Sequence, residues 1–121
     1  MLANPINLEE KFNKFPKHWS PRVIVEMNDY QFKLVKIQGE FTWHDHPNTD
    51  EVFIVIEGSM EIELRGHKIY LSAGELFVVP KGVEHKIFVE NECKIIVVEP
   101  KGVVNTGESG RGSTAPNDIC I

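Results

Sequence analysis

The feature that most constrains the fold is a regular succession of short apolar segments separated by turn residues. Between Arg22 and Pro100, apolar and polar side chains alternate, and the alternation is interrupted at Asn28-Asp29, Gly58-Ser59 and Gly66-His67. Alternation with a period of two is typical of β-strands that bury one face. Many short strands joined by tight turns predict an all-β antiparallel sandwich or barrel.

One segment departs from simple alternation. Phe32 and Leu34 alternate with polar residues, but the apolar positions then shift to Val35 and Ile37. This shift indicates either a β-bulge or a strand that is buried on both faces. We expect Gly39 to end that strand.

The segment before the strands predicts the chain's one helix, over Asn7–Phe15. Asn7 is a suitable N-cap, Glu10 stands three residues later, and Pro16 ends the helical pattern. We therefore expect three regions: an N-terminal arm with a short helix (1–19), a β-barrel (20–101) and a flexible tail rich in Gly, Ser, Thr and Asn (102–121).

Composition excludes several classes of function. A chain of 121 residues provides one hydrophobic core, and its net charge of −5 argues against a nucleic-acid surface. The apolar runs are too short to cross a membrane, and no secretory leader is evident, so we expect a cytoplasmic protein with no membrane partner. Cys93 and Cys120 are not expected to form a disulfide.

The stretch from Gly39 to Gly58 contains the residues best suited to chemistry. His44 and His46 are separated by one residue, and Glu51 follows after a short loop and opens an apolar strand. Side chains two residues apart share one face of a strand. Two imidazoles and a carboxylate at a loop–strand junction are a ligand set for a divalent transition metal.

A second stretch, from Gly74 to His85, repeats the pattern of a glycine turn, an apolar strand and a histidine. Pro80 and Gly82 mark a turn, and His85 restarts an extended segment. If this segment lies beside the first histidine pair, three imidazoles and one carboxylate meet inside the barrel.

Together the two stretches resemble the two sequence motifs of the cupin superfamily, in its small single-domain form. The first motif is matched by Gly39, the three ligand candidates and Gly58, although its first spacer is one residue shorter than usual. The second is matched by Gly74, Pro80, Gly82 and His85. The asparagine that usually ends the second motif is replaced by Val89, which leaves the ligand positions intact.

The resemblance implies a jelly-roll β-barrel in which His44, His46, Glu51 and His85 bind a metal. Asp50 could replace Glu51, but the six-residue gap to Gly58 favours Glu51. A mixed nitrogen and oxygen set suits Fe, Mn, Ni, Co, Cu or Zn without distinguishing among them.

Strand alternation then predicts the wall of a pocket for a small-molecule ligand. Thr42 shares a face with the histidine pair, Phe53 with Glu51, and Ile87 with His85, and Met60 is expected in the same interior. Among the inward positions we identify no second acid, arginine or serine, and hence no general base.

Three functions are compatible with this pattern. The resemblance favours a metalloenzyme acting on a sugar, keto acid or enolate, as an isomerase, epimerase, lyase or dioxygenase. A non-catalytic binding or sensing barrel is the alternative, and a storage barrel is the third. An exposed apolar sheet face and the N-terminal arm predict a homodimer in which the arm packs on, or exchanges with, the partner.

Overall fold

A computed structural model describes residues 4–103 and 119–121, and these form one short helix and seven strands. In chain order the elements are α1 (Leu8–Phe12), β1 (Arg22–Met27), β2 (Tyr30–His44), β3 (Glu51–Glu57), β4 (Ser59–Leu64), β5 (His67–Ser72), β6 (Leu76–Val79) and β7 (His85–Pro100). The prediction of an all-β barrel with a short N-terminal helix is confirmed.

Two long strands close the barrel. The sheet runs in the order β1-β2-β7-β3-β6, and β4 pairs with both β5 and β7. The first residues of β7, His85–Phe88, pair with β4, whereas Ile95–Val98 pair with β3. Because β2 pairs with β7 along nearly its whole length, the two strands join the halves of the barrel.

The buried apolar side chains of the described residues fall into two clusters. The inner cluster fills the barrel, and its members include Val35, Ile37, Phe53, Met60 and Val97. The outer cluster lies on the opposite face of β2 and β7 and consists of Phe12, Phe15, Leu34 and Ile96. The adjacent residues Leu34 and Val35 of β2 therefore pack in different clusters, and this strand is buried on both faces. A strand buried on both faces was one of the two alternatives expected from the shift of apolar positions.

The expectation that Gly39 ends a strand was wrong. β2 continues through Gly39, which has a φ of +91°, to His44. Its pairing with β7 shifts register between Ile37 and Gly39 and again between Phe41 and His44. The glycine thus allows a β-bulge, which bends the strand without ending it.

The predicted helix forms over Leu8–Phe12 and is capped as expected, since the Asn7 side chain accepts a hydrogen bond of 2.8 Å from the Glu10 N–H. Phe12 and Phe15 pack on the outer face of the chain's own sheet.

The end of the chain also contacts the barrel. The Val23 N–H donates to the Ile119 carbonyl and the Ile121 N–H donates to the Val23 carbonyl, which places the last residues beside β1. The flexible tail predicted for 102–121 falls mainly on 104–118, which lie outside the described residues. In the part that the structure describes, no helix has the length and apolar character to cross a membrane.

Candidate metal centre

The four side chains predicted as metal ligands lie together at one end of the barrel. His44 is the last residue of β2 and pairs directly with His85, the first residue of β7. Glu51 opens β3, and the loop before it carries His46. A backbone hydrogen bond of 2.9 Å from the Gly82 N–H to the His46 carbonyl ties that loop to the turn before β7. Two stretches of chain, residues 44–51 and the start of β7, therefore meet at one point.

The ligand atoms are close enough to share one ion. One atom from each of the four side chains lies within 4.8 Å of every other. The Glu51 Oε1 atom is 3.3 Å from His46 Nε2 and 3.5 Å from His85 Nε2. Atoms that each lie about 2.1 Å from one ion are separated by roughly 3 to 4.2 Å, so only a small contraction is needed.

Backbone carbonyls orient two of the imidazoles. The Nδ1 atom of His44 lies 2.8 Å from the Thr42 carbonyl oxygen, and that of His85 lies 2.9 Å from the Val83 carbonyl oxygen. Because a carbonyl only accepts, each Nδ1 carries the hydrogen and each Nε2 keeps its lone pair. Histidine metal ligands are commonly held in this way.

The buried polar atoms of the cluster fit a bound cation. His46 Nε2, Glu51 Oε1 and His85 Nε2 are fully buried and have no hydrogen-bond partner among the described residues. A buried polar group without a partner costs roughly 1 to 3 kcal/mol. Three such atoms pointing at one another have the donor chemistry of a divalent transition-metal site.

The electrostatics at His44 and Glu51 favour the protonation states that a metal requires, whereas the Glu51 carboxylate outweighs burial and raises the pKa of His46. Burial, reinforced by the neighbouring His85 imidazole, lowers the pKa of His44 to about 4. Burial would raise the pKa of Glu51, but the nearby imidazoles of His46 and His85, whose Nε2 atoms lie 3.3 Å and 3.5 Å from its Oε1, outweigh it and hold that pKa below its usual range. At neutral pH His44 is therefore a neutral imidazole and Glu51 is a carboxylate.

A cavity opens beside the cluster. It is small, with a volume of about 60 Å³, and His44 and Glu51 form part of its wall. Most of the remaining wall is apolar or aromatic: Trp19, Pro21, Val35, Ile37, Phe41, Phe53, Ile87, Ile95 and Val97. An apolar wall with a few polar groups is typical of a small-molecule site.

Two charged residues that the sequence analysis missed also line the cavity. Lys33 and Glu99 are almost fully buried, with exposed fractions of 0% and 1%, and Lys33 Nζ donates a 2.9 Å hydrogen bond to Glu99 Oε2. Burial and the nearby Glu51 carboxylate raise the pKa of Glu99 to about 8. The expectation of no second acid in the interior was therefore wrong. Alternation extended backwards from Val35 and forwards from Val97 would have identified both residues.

The predicted pocket residues lie in different environments. Phe53 and Ile87 line the cavity, whereas Met60 packs in the inner cluster and is not part of the cavity wall. Thr42 is half-buried and also lies outside the wall, which instead includes Phe41. The register shift between Phe41 and His44 explains this exchange, because a bulge reverses which residues face inward.

The other candidates near the motif lie apart from the cluster. Asp50 is exposed, and its Oδ1 accepts a 2.8 Å hydrogen bond from the Lys81 N–H. His67 is exposed, and His18 forms a 2.7 Å ion pair with Glu92. Across residues 4–103 and 119–121, one group of side chains has the spacing of a metal site.

Comparison with known proteins identifies a family and several relatives. The family described as "Cupin domain" matches residues 32–99. An uncharacterized protein, YdbB, of Bacillus subtilis is 39% identical over 87 residues, which are 71% of each chain.

Two solved structures are also similar to this chain. A cupin-2 domain containing protein from Shewanella frigidimarina is 61% identical, with a TM-score of 0.79, over 79% of this chain and 94% of that one. Protein NMB1881 from Neisseria meningitidis is 32% identical, with a TM-score of 0.74, over 81% of this chain and all of the other.

Proposed function

This chain belongs to the cupin domain family, and on that premise we propose that it is a metalloenzyme acting on a small molecule. The metal would be held by His44, His46, Glu51 and His85. The site suits Fe, Mn, Ni, Co, Cu or Zn, because all of these accept mixed imidazole and carboxylate ligands. When bound, such a metal supplies Lewis-acid polarisation of a carbonyl or enolate oxygen.

The observation that carries this proposal is the convergence of buried, unpartnered ligand atoms at the wall of an open cavity. His46, Glu51 and His85 each direct a buried polar atom to a common point, where the described residues offer no hydrogen-bond partner. Two of the four side chains, His44 and Glu51, also form the cavity wall. A ligand in the cavity would therefore lie next to the metal, as a reaction at the metal requires.

The cavity also contains a group of the kind that proton transfer needs. Glu99 lies in the wall beside Glu51, and Lys33 holds it in place. An inward carboxylate favours an enzyme that acts on a sugar, keto acid or enolate over a passive barrel. The second candidate, a non-catalytic binding or sensing barrel, is favoured by the apolar character of most of the wall.

Elemental analysis of the purified chain tests the metal site. We expect about one transition-metal ion per chain in the wild type and a loss of at least tenfold in retained metal in His46→Ala. The matched control is His67→Ala, which removes an exposed histidine and should retain metal. Circular dichroism would establish that both variants are folded. Equal metal in the two variants would refute the assignment.

A turnover screen then separates the two candidate functions. Wild-type protein loaded with each metal would be offered small sugars and keto acids, with His46→Ala as the blank. Metal-dependent turnover supports the enzyme, whereas binding of a cavity ligand without turnover supports the sensing barrel.

We also propose that two copies of the chain associate through the outer face next to β6. β6 lies at the end of the sheet order, and its Leu76 and Val78 are 58% and 46% exposed. Ile56 on the neighbouring strand β3 adds exposed apolar surface, as does Tyr30 of β2, which lines the same surface groove as Val78. An open apolar edge of this kind is normally covered, and a symmetric second copy is the simplest cover.

The mass of the particle in solution tests this association. Val78→Lys should convert a dimer into a monomer in light scattering coupled to gel filtration. The control Tyr70→Lys changes an exposed residue of β5 and should leave the mass unchanged. A monomeric wild type, or a dimer that persists in Val78→Lys, would contradict the proposed interface.

A further inference from the structure

The buried pair of Lys33 and Glu99 has hydrogen-bonding capacity that it does not use. Glu99 Oε2 accepts from Lys33 Nζ, whereas Glu99 Oε1 is buried without a hydrogen-bond partner in the described part of the chain. A lysine ammonium has three N–H donors, and this bond uses one. Both residues also form part of the cavity wall, so this unused capacity lies beside the space that a ligand would fill.

The pair lies where a ligand at the metal would meet it. Val52 of β3 pairs with Val98 of β7, so the preceding residue Glu51 and the following residue Glu99 are neighbours across these antiparallel strands. Lys33 pairs with Val97 on the other side of β7. The cavity wall thus contains the metal-ligand carboxylate, a second carboxyl group and an ammonium group in adjacent positions.

We propose that Lys33 and Glu99 together bind a hydroxyl group, and that the ligand of this cavity is a small, mostly apolar molecule with a hydroxyl beside its metal-binding oxygen. A hydroxyl donates one hydrogen bond and accepts others, so one group can donate to Glu99 Oε1 and accept from Lys33 Nζ. The apolar wall formed by Phe41, Phe53 and the aliphatic side chains encloses the rest of the molecule. This inference rests on the proposed metal site.

Within the substrate classes of the proposed function, the chemistry of the wall argues against polyhydroxylated sugars. A sugar with hydroxyls on every carbon would leave most of them against apolar side chains, because the polar groups of the wall are confined to Lys33, Glu99 and the two metal-ligand residues. A purely apolar ligand would leave Glu99 Oε1 without a donor. An apolar molecule with one or two hydroxyl groups fits the apolar wall and also supplies a donor to Glu99 Oε1.

The test uses pairs of probes that differ only by one hydroxyl. Phenol with catechol, and butyrate with 3-hydroxybutyrate, would be titrated by calorimetry into metal-loaded wild-type protein. Hydrogen bonds to charged groups predict that the hydroxylated member of at least one pair binds about tenfold more tightly or better. Equal affinities within both pairs would overturn the inference.

The double variant Lys33→Met/Glu99→Leu removes the hydroxyl contact while leaving no buried charge unpaired, so it is expected to fold. In this variant the preference for the hydroxylated probe should fall to less than about twofold, while the affinity for the other probe is retained. The control Lys86→Met/Glu40→Gln alters an ion pair of the same residue types outside the cavity wall, and it should keep the preference.

Metal content distinguishes the failure of this inference from the failure of the proposed function. If wild-type protein binds no metal, the proposed function fails. If the wild type and the double variant both retain metal and show the same hydroxyl preference, the metal site stands and the hydroxyl-binding role of Lys33 and Glu99 is refuted.

Discussion

Truncation of Phe12 is the sharpest test of how the N-terminal helix stabilises the barrel. Phe12 is 1% exposed and packs in the outer cluster against Phe15, Leu34 and Ile96. Its ring centroid lies 6.2 Å from that of Phe15. A helix of five residues has little stability of its own, so this packing is what holds it on the sheet.

The magnitude follows from the burial of this side chain. A change from a fully buried phenylalanine to alanine costs roughly 3 to 5 kcal/mol of unfolding free energy. For 121 residues the unfolding entropy is about 0.25 kcal/mol/K, since each residue contributes about 2.1 cal/mol/K. We therefore expect Phe12→Ala to lower Tm by roughly 12 to 20 °C.

Thermal unfolding followed by circular dichroism measures this effect, and Glu9→Ala on the same helix is the matched control. Glu9 is exposed, so its variant should unfold within about 2 °C of the wild type. If Phe12→Ala behaves like Glu9→Ala, the helix does not pack on the barrel in solution. Repeating the scan over a hundredfold range of protein concentration in the Val78→Lys background, which removes the proposed interface next to β6, tests arm exchange, because Tm then rises with concentration only if the arm contact lies between two chains.

Three further predictions concern backbone strain, the buried ion pair and thiol reactivity. Gly58→Ala should lower the free energy of unfolding in urea more than Gly66→Ala does. Both glycines have a positive φ, but a Cβ at Gly58 would lie 3.1 Å from a backbone oxygen, whereas a Cβ at Gly66 would meet nothing within 4 Å. Equal losses of stability would refute the clash at Gly58. At pH 9, above the pKa of Glu99, Lys33→Met alone should lower the free energy of unfolding in urea by roughly 3 to 5 kcal/mol, because it leaves the Glu99 carboxylate buried without its cation. The second change, Glu99→Leu, should restore most of that loss, and additive losses would contradict the pairing. Cys93 is fully buried, and burial raises its pKa to about 11. In a variant that lacks Cys120, an aromatic disulfide reagent at pH 8 should therefore label Cys93 only after denaturation. Rapid labelling of the native protein would disprove the burial of Cys93.

Much of the architecture could be predicted from local patterns. Turn residues between alternating segments predicted the strands, since the alternation of side chains and the conformations that turns require are local properties. Asn7 marked the start of the helix for the same reason, whereas the helix ends at Phe12, three residues before the Phe15 that the proline had indicated. The spacing of His44 and His46 identified two of the four converging side chains, although β2 ends at His44 and His46 lies in the loop that follows.

The contents of the cavity depended on contacts between strands that are distant in sequence. The bulge between Phe41 and His44 in the β2–β7 pairing turned Phe41 inward in place of Thr42. No local pattern predicts a bulge that arises from the pairing of two strands. Lys33 and Glu99 were missed because a charged residue is normally assigned to the exposed face of a strand.

The amino-acid sequence by itself determined the succession of strands, the capped helix and the types of metal-ligating side chain, because each depends on residues within a few positions of one another. Only the tertiary structure decided that His85 pairs with His44 and that Lys33 meets Glu99 inside the barrel. Those contacts join residues far apart in the chain, and burial of the surrounding apolar side chains holds them in place.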